Sequence, residues 1–123
     1  MSIGKVGAVV LDCPDPVALA RFYAELVGGD VELGEDDGDT WVDLKGSDGA
    51  ALAFQAAPGF VAPGWPSAEK SQQFHLDVTV EDLDAAEAKV LALGATVLDA
   101  EDRKRSFRVY ADPAGHPFCL CAC

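Results

Sequence analysis

The sequence has few basic residues and no long apolar run. It contains 9 Lys and Arg residues against 21 Asp and Glu residues, which gives a formal net charge of -12 at pH 7. Nucleic acid binding depends on basic residues that contact phosphates, so this acidity disfavours it. A membrane-spanning helix needs roughly 18 consecutive apolar residues, and no run approaches that length. We therefore expect neither a nucleic acid nor a membrane as a partner.

A secretion signal and the common nucleotide and hydrolase motifs are also missing. The amino-terminal stretch reaches Asp12 and Asp15 early and contains no small-residue cleavage site, so we expect a cytoplasmic protein. Neither a glycine-rich phosphate loop nor a Ser-His-Asp arrangement is visible. With 123 residues, of which 50% are hydrophobic, the chain is long and apolar enough to fold as one domain.

The cysteines do not form the C-x-x-C pairs of a structural zinc site. Three of them, Cys119, Cys121 and Cys123, alternate with other residues at the carboxyl terminus. Alternation places side chains on one face of a strand, where neighbours two residues apart rarely reach disulfide geometry. We therefore predict free thiols, with Cys123 the most open to reaction because it ends the chain.

What the sequence does contain is an internal repeat. A β-rich run, an aspartate and an amphipathic helical pattern occur twice, and Asp15 and Asp82 are the predicted helix N-caps. The residues predicted to form the apolar face of the second helix are Leu83, Ala86, Val90 and Leu93. A short β candidate and a strand-turn-strand segment follow each helix. Aligning the halves places Ala8 opposite His75 and Ala53 opposite Cys119.

The repeat predicts an α+β fold of two βαβββ modules. Two curved sheets would enclose a cavity, and the helices would cover their outer faces. We place the first module at residues 3–57, a Pro- and Gly-rich connector at 58–71 and the second module at 72–123, all within one domain over 1–123.

His75 and Asp77 share one face of the predicted strand and are the first candidates for a site. A carboxylate beside an imidazole raises its pKa and fixes its tautomer, which suits a general base or a ligand-binding pair. A hydrogen-bonded structural pair is the alternative. His116 lies in a Gly-His-Pro turn, where we expect it to order the loop.

Two further features leave alternatives open. Trp65, in the connector, suits either a residue that closes over a ligand or an anchor for the connector. A basic run concentrates Arg103, Lys104, Arg105 and Arg108 in an acidic protein. It suits either a solvated hairpin end or a contact with an anionic ligand.

Three segments carry a resemblance to a known family. They are LDCPDPVALARFYAELVGG, FHLDVTVEDLDAAEAKVLALGA and YADPAGHPFCLC. They resemble the vicinal oxygen chelate superfamily and, more narrowly, the glyoxalase-like domain proteins common in actinobacteria, over essentially the whole chain. That superfamily includes glyoxalase I, extradiol dioxygenases, fosfomycin resistance enzymes and metal-free bleomycin-binding proteins. The resemblance implies the two-module fold and a homodimer, but no single activity.

The resemblance also implies where a divalent metal would bind. Enzymes of the superfamily hold Zn, Mn, Ni or Fe with side chains from the first and last strand of each module. The matching positions here are Ala8, Ala53, His75 and Cys119. Because alanine cannot bind a metal, the first module supplies no ligand at these positions.

A shift of the alignment would bring in other donors from the first module. Gln55 or Asp12 could then replace an alanine, and a metal site would consist of His75, Cys119 and Gln55. Such a ligand set is unusual for a catalytic centre. We therefore expect no cofactor and interpret His75 as a polar residue of the cavity wall.

Three functions are compatible with the sequence. The first is binding of a small organic molecule without a metal, through His75, Asp77, Trp65, Gln55 and Cys119. The second is a metal-dependent lyase, isomerase or dioxygenase that uses His75. The third is a metal-free enzyme in which His75 and Asp77 transfer protons.

Overall fold

The computed structural model describes residues 2–4, 6–47, 49–64 and 74–122. The chain divides into two compact units, Met1–Phe60 and Val61–Cys123. The described elements of the first unit are β1 (Val9–Cys13), α1 (Pro16–Val27), β2 (Asp30–Leu33), β3 (Trp41–Lys45) and β4 (Leu52–Ala56). Those of the second unit are β5 (Leu76–Thr79), α2 (Leu83–Ala92), β6 (Thr96–Asp99), β7 (Phe107–Ala111) and β8 (Pro117–Cys121).

The two units repeat one topology, which confirms the predicted α+β fold of two βαβββ modules. The strand orders are β1-β4-β3-β2 and β5-β8-β7-β6, and neither sheet is closed. In each unit the first strand lies parallel to the last, while the remaining pairs are antiparallel. Val10 faces Ala53 in the first sheet, and Asp77 faces Cys119 in the second. Val10 and Asp77 each follow by two residues the positions aligned in the sequence, Ala8 and His75. Ala53 and Cys119 therefore occupy equivalent places in the two sheets, as the alignment of the halves predicted.

Helix α1 packs on its sheet through apolar and aromatic side chains. It begins where Asp15 Oδ1 accepts a hydrogen bond from the Ala18 amide at 3.1 Å. Proline at the first helical position costs nothing, since that amide has no partner within the helix. Tyr23 is fully buried and stacks on Phe54 of β4, with ring centroids 5.7 Å apart. The first module therefore has a conventional apolar core.

The packing of helix α2 matches the prediction in part. Of the apolar face predicted for it, Val90 is buried and Leu83 and Ala86 are half-buried, whereas Leu93 follows the helix and is 38% exposed. Polar contacts add to this apolar packing, since Glu87, on the side of α2 that faces β7, takes part in ion pairs. Its Oε1 accepts a hydrogen bond from the Tyr110 hydroxyl at 2.8 Å.

Arg108 of β7 completes this polar contact with the helix. Its side chain is 4% exposed and lies 2.9 Å from Asp84 Oδ1 and 3.6 Å from Glu87 Oε2. Arg103 also pairs with Glu87, at 3.1 Å. Because Arg108 and Tyr110 are two residues apart on one strand, both side chains face α2.

The turn between β7 and β8 is held by one buried carboxylate. Asp112 is 3% exposed, and its Oδ1 accepts hydrogen bonds from the amides of Ala114 and His116 at 2.9 and 3.0 Å. Gly115 has φ +99, and a Cβ there would lie 2.5 Å from Ala62 Cβ. The backbone amide of His116 thus helps to close the turn.

The cysteines differ in one respect from the prediction of free thiols. Cys13 and Cys119 are buried and outside any disulfide, whereas Cys121 is disulfide-bonded. The prediction of a free thiol was wrong for Cys121. It assumed that the alternation of a strand continues past this residue, but β8 ends there. Cys123 lies outside the described residues.

No helix in the described part of the chain combines the length and apolarity that crossing a membrane requires.

Replacing Asp112 with Ala should destabilise the second module. The substitution leaves two part-buried amides of the turn without their acceptor, and a buried donor that loses its partner costs about 1–3 kcal/mol. We expect a loss of about 2–4 kcal/mol in the free energy of unfolding, measured as a lower urea midpoint. Asp82→Ala, which removes one N-cap bond to Ala85, is the control and should cost about 1 kcal/mol. Equal losses in the two variants would contradict this role of Asp112.

Replacing Glu87 with Gln should weaken the response of stability to acid. The hydroxyl of Tyr110, followed by Arg103 and Arg108, lowers the pKa of Glu87 below its ordinary value of 4.5. As the pH falls, the unfolded chain therefore takes up its proton first. The stabilisation that ionised Glu87 contributes is complete above about pH 4.5. It is lost as the pH falls through the pKa that Glu87 has in the folded protein.

Urea denaturation across that acidic range measures this effect. The free energy of unfolding should fall less steeply with decreasing pH in Glu87→Gln than in the parent protein. Glu25→Gln, at an exposed position of α1, should leave the slope unchanged. The same slope in Glu87→Gln and the parent protein would show that this carboxylate does not couple folding to pH.

Candidate functional site

A row of four residues crosses the second sheet on the side opposite α2. Asp77 pairs with Cys119, Cys119 with Val109, and Val109 with Asp99. Side chains of directly paired residues point to the same side of a sheet. Arg108, next to Val109, points to α2 instead. We call the side that carries this row the cysteine face of the second sheet.

His75, Asp77 and Cys119 form a cluster at one end of this row. His75 immediately precedes β5, and its Nε2 lies 3.1 Å from Asp77 Oδ1. One donor atom from each of the three residues lies within 4.8 Å of the other two. Along β5, Asp77 and Thr79 are exposed while Leu76 and Val78 are half-buried.

The Cys119 thiol is held in its protonated form. It is 3% exposed, and burial raises its pKa to about 11, with the charge and hydrogen bond of the Asp77 carboxylate adding to the rise. The positive charge of Arg105 acts in the opposite direction. At neutral pH the thiol therefore donates to Asp77 rather than acting as a nucleophile, since the thiolate is the nucleophilic form.

The cluster has a donor set that fits a divalent metal. Imidazole nitrogen, carboxylate oxygen and cysteine sulfur are the ligands of zinc, and catalytic zinc sites use three protein ligands and one open position. Asp77 supplies a third donor within 4.8 Å of those of His75 and Cys119. A bound cation would also favour loss of the Cys119 proton.

The first module supplies no comparable cluster at the equivalent positions. Ala53 is buried in β4, and Ala8 is exposed just before β1. Gln55 is exposed and pairs in register with Asp12 and Trp41 within the first sheet. These residues belong to the first unit, whereas His75, Asp77 and Cys119 belong to the second. Trp65 lies outside the described residues.

The basic run predicted from the sequence divides between the two sides of the second sheet, and Asp99 was not predicted to lie near it. Arg103 and Arg108 contact acidic residues of α2. Arg105 turns the other way and lies 3.1 Å from Asp99 Oδ1, on the cysteine face. The alternation of side chains along β7 predicts that Arg108 and its neighbour Val109 point to opposite sides of the sheet. It predicts no direction for Arg105, which precedes the strand.

Replacing Asp77 with Asn should lower the pKa of the Cys119 thiol below about 11. The substitution removes the negative charge that disfavours the thiolate and leaves the side-chain size unchanged. Carbon NMR of labelled cysteine during a pH titration measures the pKa, and Cys119→Ser assigns the signal. Asp30→Asn, in β2, is the control and should have no effect. An unchanged or higher pKa in Asp77→Asn would show that Asp77 does not hold the proton on the thiol.

The fold and sequence identify relatives. A family model described as Glyoxalase-like domain matches residues 8–121. A glyoxalase/bleomycin resistance protein/dioxygenase family enzyme from Burkholderia phytofirmans PsJN has a TM-score of 0.71 and 19% identity, covering 95% of this chain and 97% of that one. The fosfomycin resistance protein FosX from Mesorhizobium loti has a TM-score of 0.72 and 12% identity, covering 100% and 94%.

A glyoxalase family protein from Enterococcus faecalis is similar over 98% of this chain and 99% of its own, with a TM-score of 0.65 and 23% identity. No curated protein sequence matches the chain. At such identities, structural likeness shows a shared fold and leaves the reaction open. Because the family model covers nearly the whole chain, the protein belongs to the glyoxalase-like domain family.

Proposed function

We propose that this protein binds a small organic molecule on the cysteine face of its second sheet. The observation that carries the proposal is the His75–Asp77 pair, 3.1 Å apart, beside the buried Cys119 thiol. The side chains of His75 and Asp77 are 33% and 63% exposed, so a ligand can reach them. Ligand sites typically combine apolar walls with a few convergent polar groups, and this cluster supplies such groups.

The chemistry of the cluster favours recognition of a polar group on the ligand. Contact with the Asp77 carboxylate, at 3.1 Å from Nε2, fixes the orientation of the His75 ring. The pair can thus hold a hydroxyl or carbonyl group, or move a proton to or from it. The buried Cys119 thiol hydrogen-bonds to Asp77 and so helps to hold that carboxylate in place. Contributions from Gln55 and Trp65 stay predictions.

A second candidate function is supported by the donor atoms of the same cluster. Because those of His75, Asp77 and Cys119 lie within 4.8 Å of one another, the cluster is suited to hold Zn²⁺ or a similar ion. A metal there would polarise the oxygen atoms of a chelating molecule. In that case His75, Asp77 and Cys119 would fix the ion, and the protein would be a metal-dependent enzyme.

Elemental analysis of protein purified without a His-tag separates the two functions. For the first function we expect no stoichiometric metal, even after incubation with Zn²⁺, Mn²⁺ or Fe²⁺. One divalent ion per chain, lost in His75→Ala, would favour the second. His116→Ala is the control, because it removes the other histidine of the chain.

Ligand binding is tested by NMR with a small-molecule library and the imidazole signals of His75. Compounds that shift these signals should bind at least about tenfold more weakly to His75→Ala, which corresponds to about 1.4 kcal/mol. His116→Ala should bind them as the parent protein does. Binders that leave the His75 signals unchanged would contradict the proposed site. Binding that survives in His75→Ala while turnover is lost would instead identify proton transfer by the pair.

A further inference from the structure

Arg105 is held on the cysteine face by two contacts. Its Nη2 lies 3.1 Å from Asp99 Oδ1, and its guanidinium carbon lies 4.5 Å from the ring centroid of Phe107. Asp99 belongs to the row that contains Cys119. Phe107 lies two residues before Val109 on β7 and therefore on the same face. The guanidinium group is thus fixed over this face although Arg105 precedes the strand.

Arg105 approaches the row from the opposite end to Asp77. Its ion-pair partner Asp99 is the last residue of the row, and Asp77 is the first. Neighbouring strands lie about 4.8 Å apart, so the row from Asp77 on β5 to Asp99 on β6 spans roughly 14 Å. One small organic molecule can therefore lie between His75 with Asp77 at one end and Arg105 at the other.

Arg105 has hydrogen-bonding capacity that its contacts do not use. A guanidinium group has five N–H donors, and Asp99 accepts bonds from Nη1 and Nη2. Nε is buried and has no hydrogen-bond partner among the described residues. A buried donor without an acceptor is unfavourable, so a ligand oxygen that reached it would be favoured. Nε itself is buried and the side chain as a whole is 26% exposed, so a ligand would approach the guanidinium group from its exposed side.

From these contacts we propose that Arg105 binds the carboxylate of a small organic acid whose other end contacts His75 and Asp77. The inference rests on the proposed function and names its ligand class. The planar guanidinium group matches a carboxylate and can bind it through two parallel hydrogen bonds. The ring of Phe107, 37% exposed, offers an apolar surface for the body of the ligand.

The test uses para-hydroxycinnamate and its amide as probes. The two molecules have the same ring, hydroxyl group and length, and they differ in the charged carboxylate. NMR titration follows the Arg105 Nε–H signal and the His75 imidazole signals. We expect both sets of signals to shift, and the acid to bind at least about tenfold more tightly than the amide. The preference for the acid should disappear in Arg105→Gln.

Matched variants control for charge and folding. Arg103→Gln removes an arginine of the same run that contacts Glu87 of α2, and it should retain the preference. Arg105→Lys keeps the charge without the planar donor pair and should retain part of it. Far-ultraviolet circular dichroism of each variant verifies that it is folded.

Two other outcomes would overturn the inference, and they can be told apart. If acid and amide shift the His75 signals with equal affinity, and Arg105→Gln binds both alike, the carboxylate site is refuted while the proposed ligand site stands. If neither probe shifts the His75 or Arg105 signals, the organic acid class is refuted. Failure of the library compounds at His75 as well would then reject the proposed function itself.

Discussion

The site depends on the parallel pairing of β5 with β8. Parallel neighbours cannot be joined by a tight turn, so the chain must pass through α2, β6 and β7 before β8 returns to β5. That return places Asp77 directly beside Cys119, two residues that are far apart in the sequence. β7 then extends the row to Val109, and β6 extends it to Asp99. A shift of one residue in this register would turn Cys119 toward α2 and separate it from His75 and Asp77.

The same backbone plan supports different chemistry in the two modules. In the first, the parallel pair brings Val10 beside Ala53, and α1 is held by aromatic packing that includes Tyr23 and Phe54. In the second, the equivalent pair is Asp77 and Cys119, and α2 is held by ion pairs with β7. Polar groups thus lie on both sides of the second sheet. The repeat fixes where side chains lie, and their identities decide which module has reactive groups.

Local patterns predicted the modules, the helix caps and the common face of His75 and Asp77, because each depends on residues close in sequence. The missing parts depend on distant partners. The periodicity of α2 could not show that Glu87 meets Arg108 and Tyr110, which follow it by a strand and a loop. The orientation of Arg105 depends on a loop and on Asp99, which lies where the register of β6 shifts. For Cys121, the alternation that predicted a free thiol stops at the end of β8.

The buried, protonated state of Cys119 has a consequence for the chemical lifetime of the protein. Peroxides and electrophiles react with thiolates, and sensitivity to them follows thiolate content and exposure. A thiol whose pKa is about 11 and which is 3% exposed reacts slowly by both criteria. Asp77 therefore protects the sulfur as well as binding to it. By both criteria, the sulfur of the cysteine face is less open to oxidation than that of an exposed cysteine with an ordinary pKa.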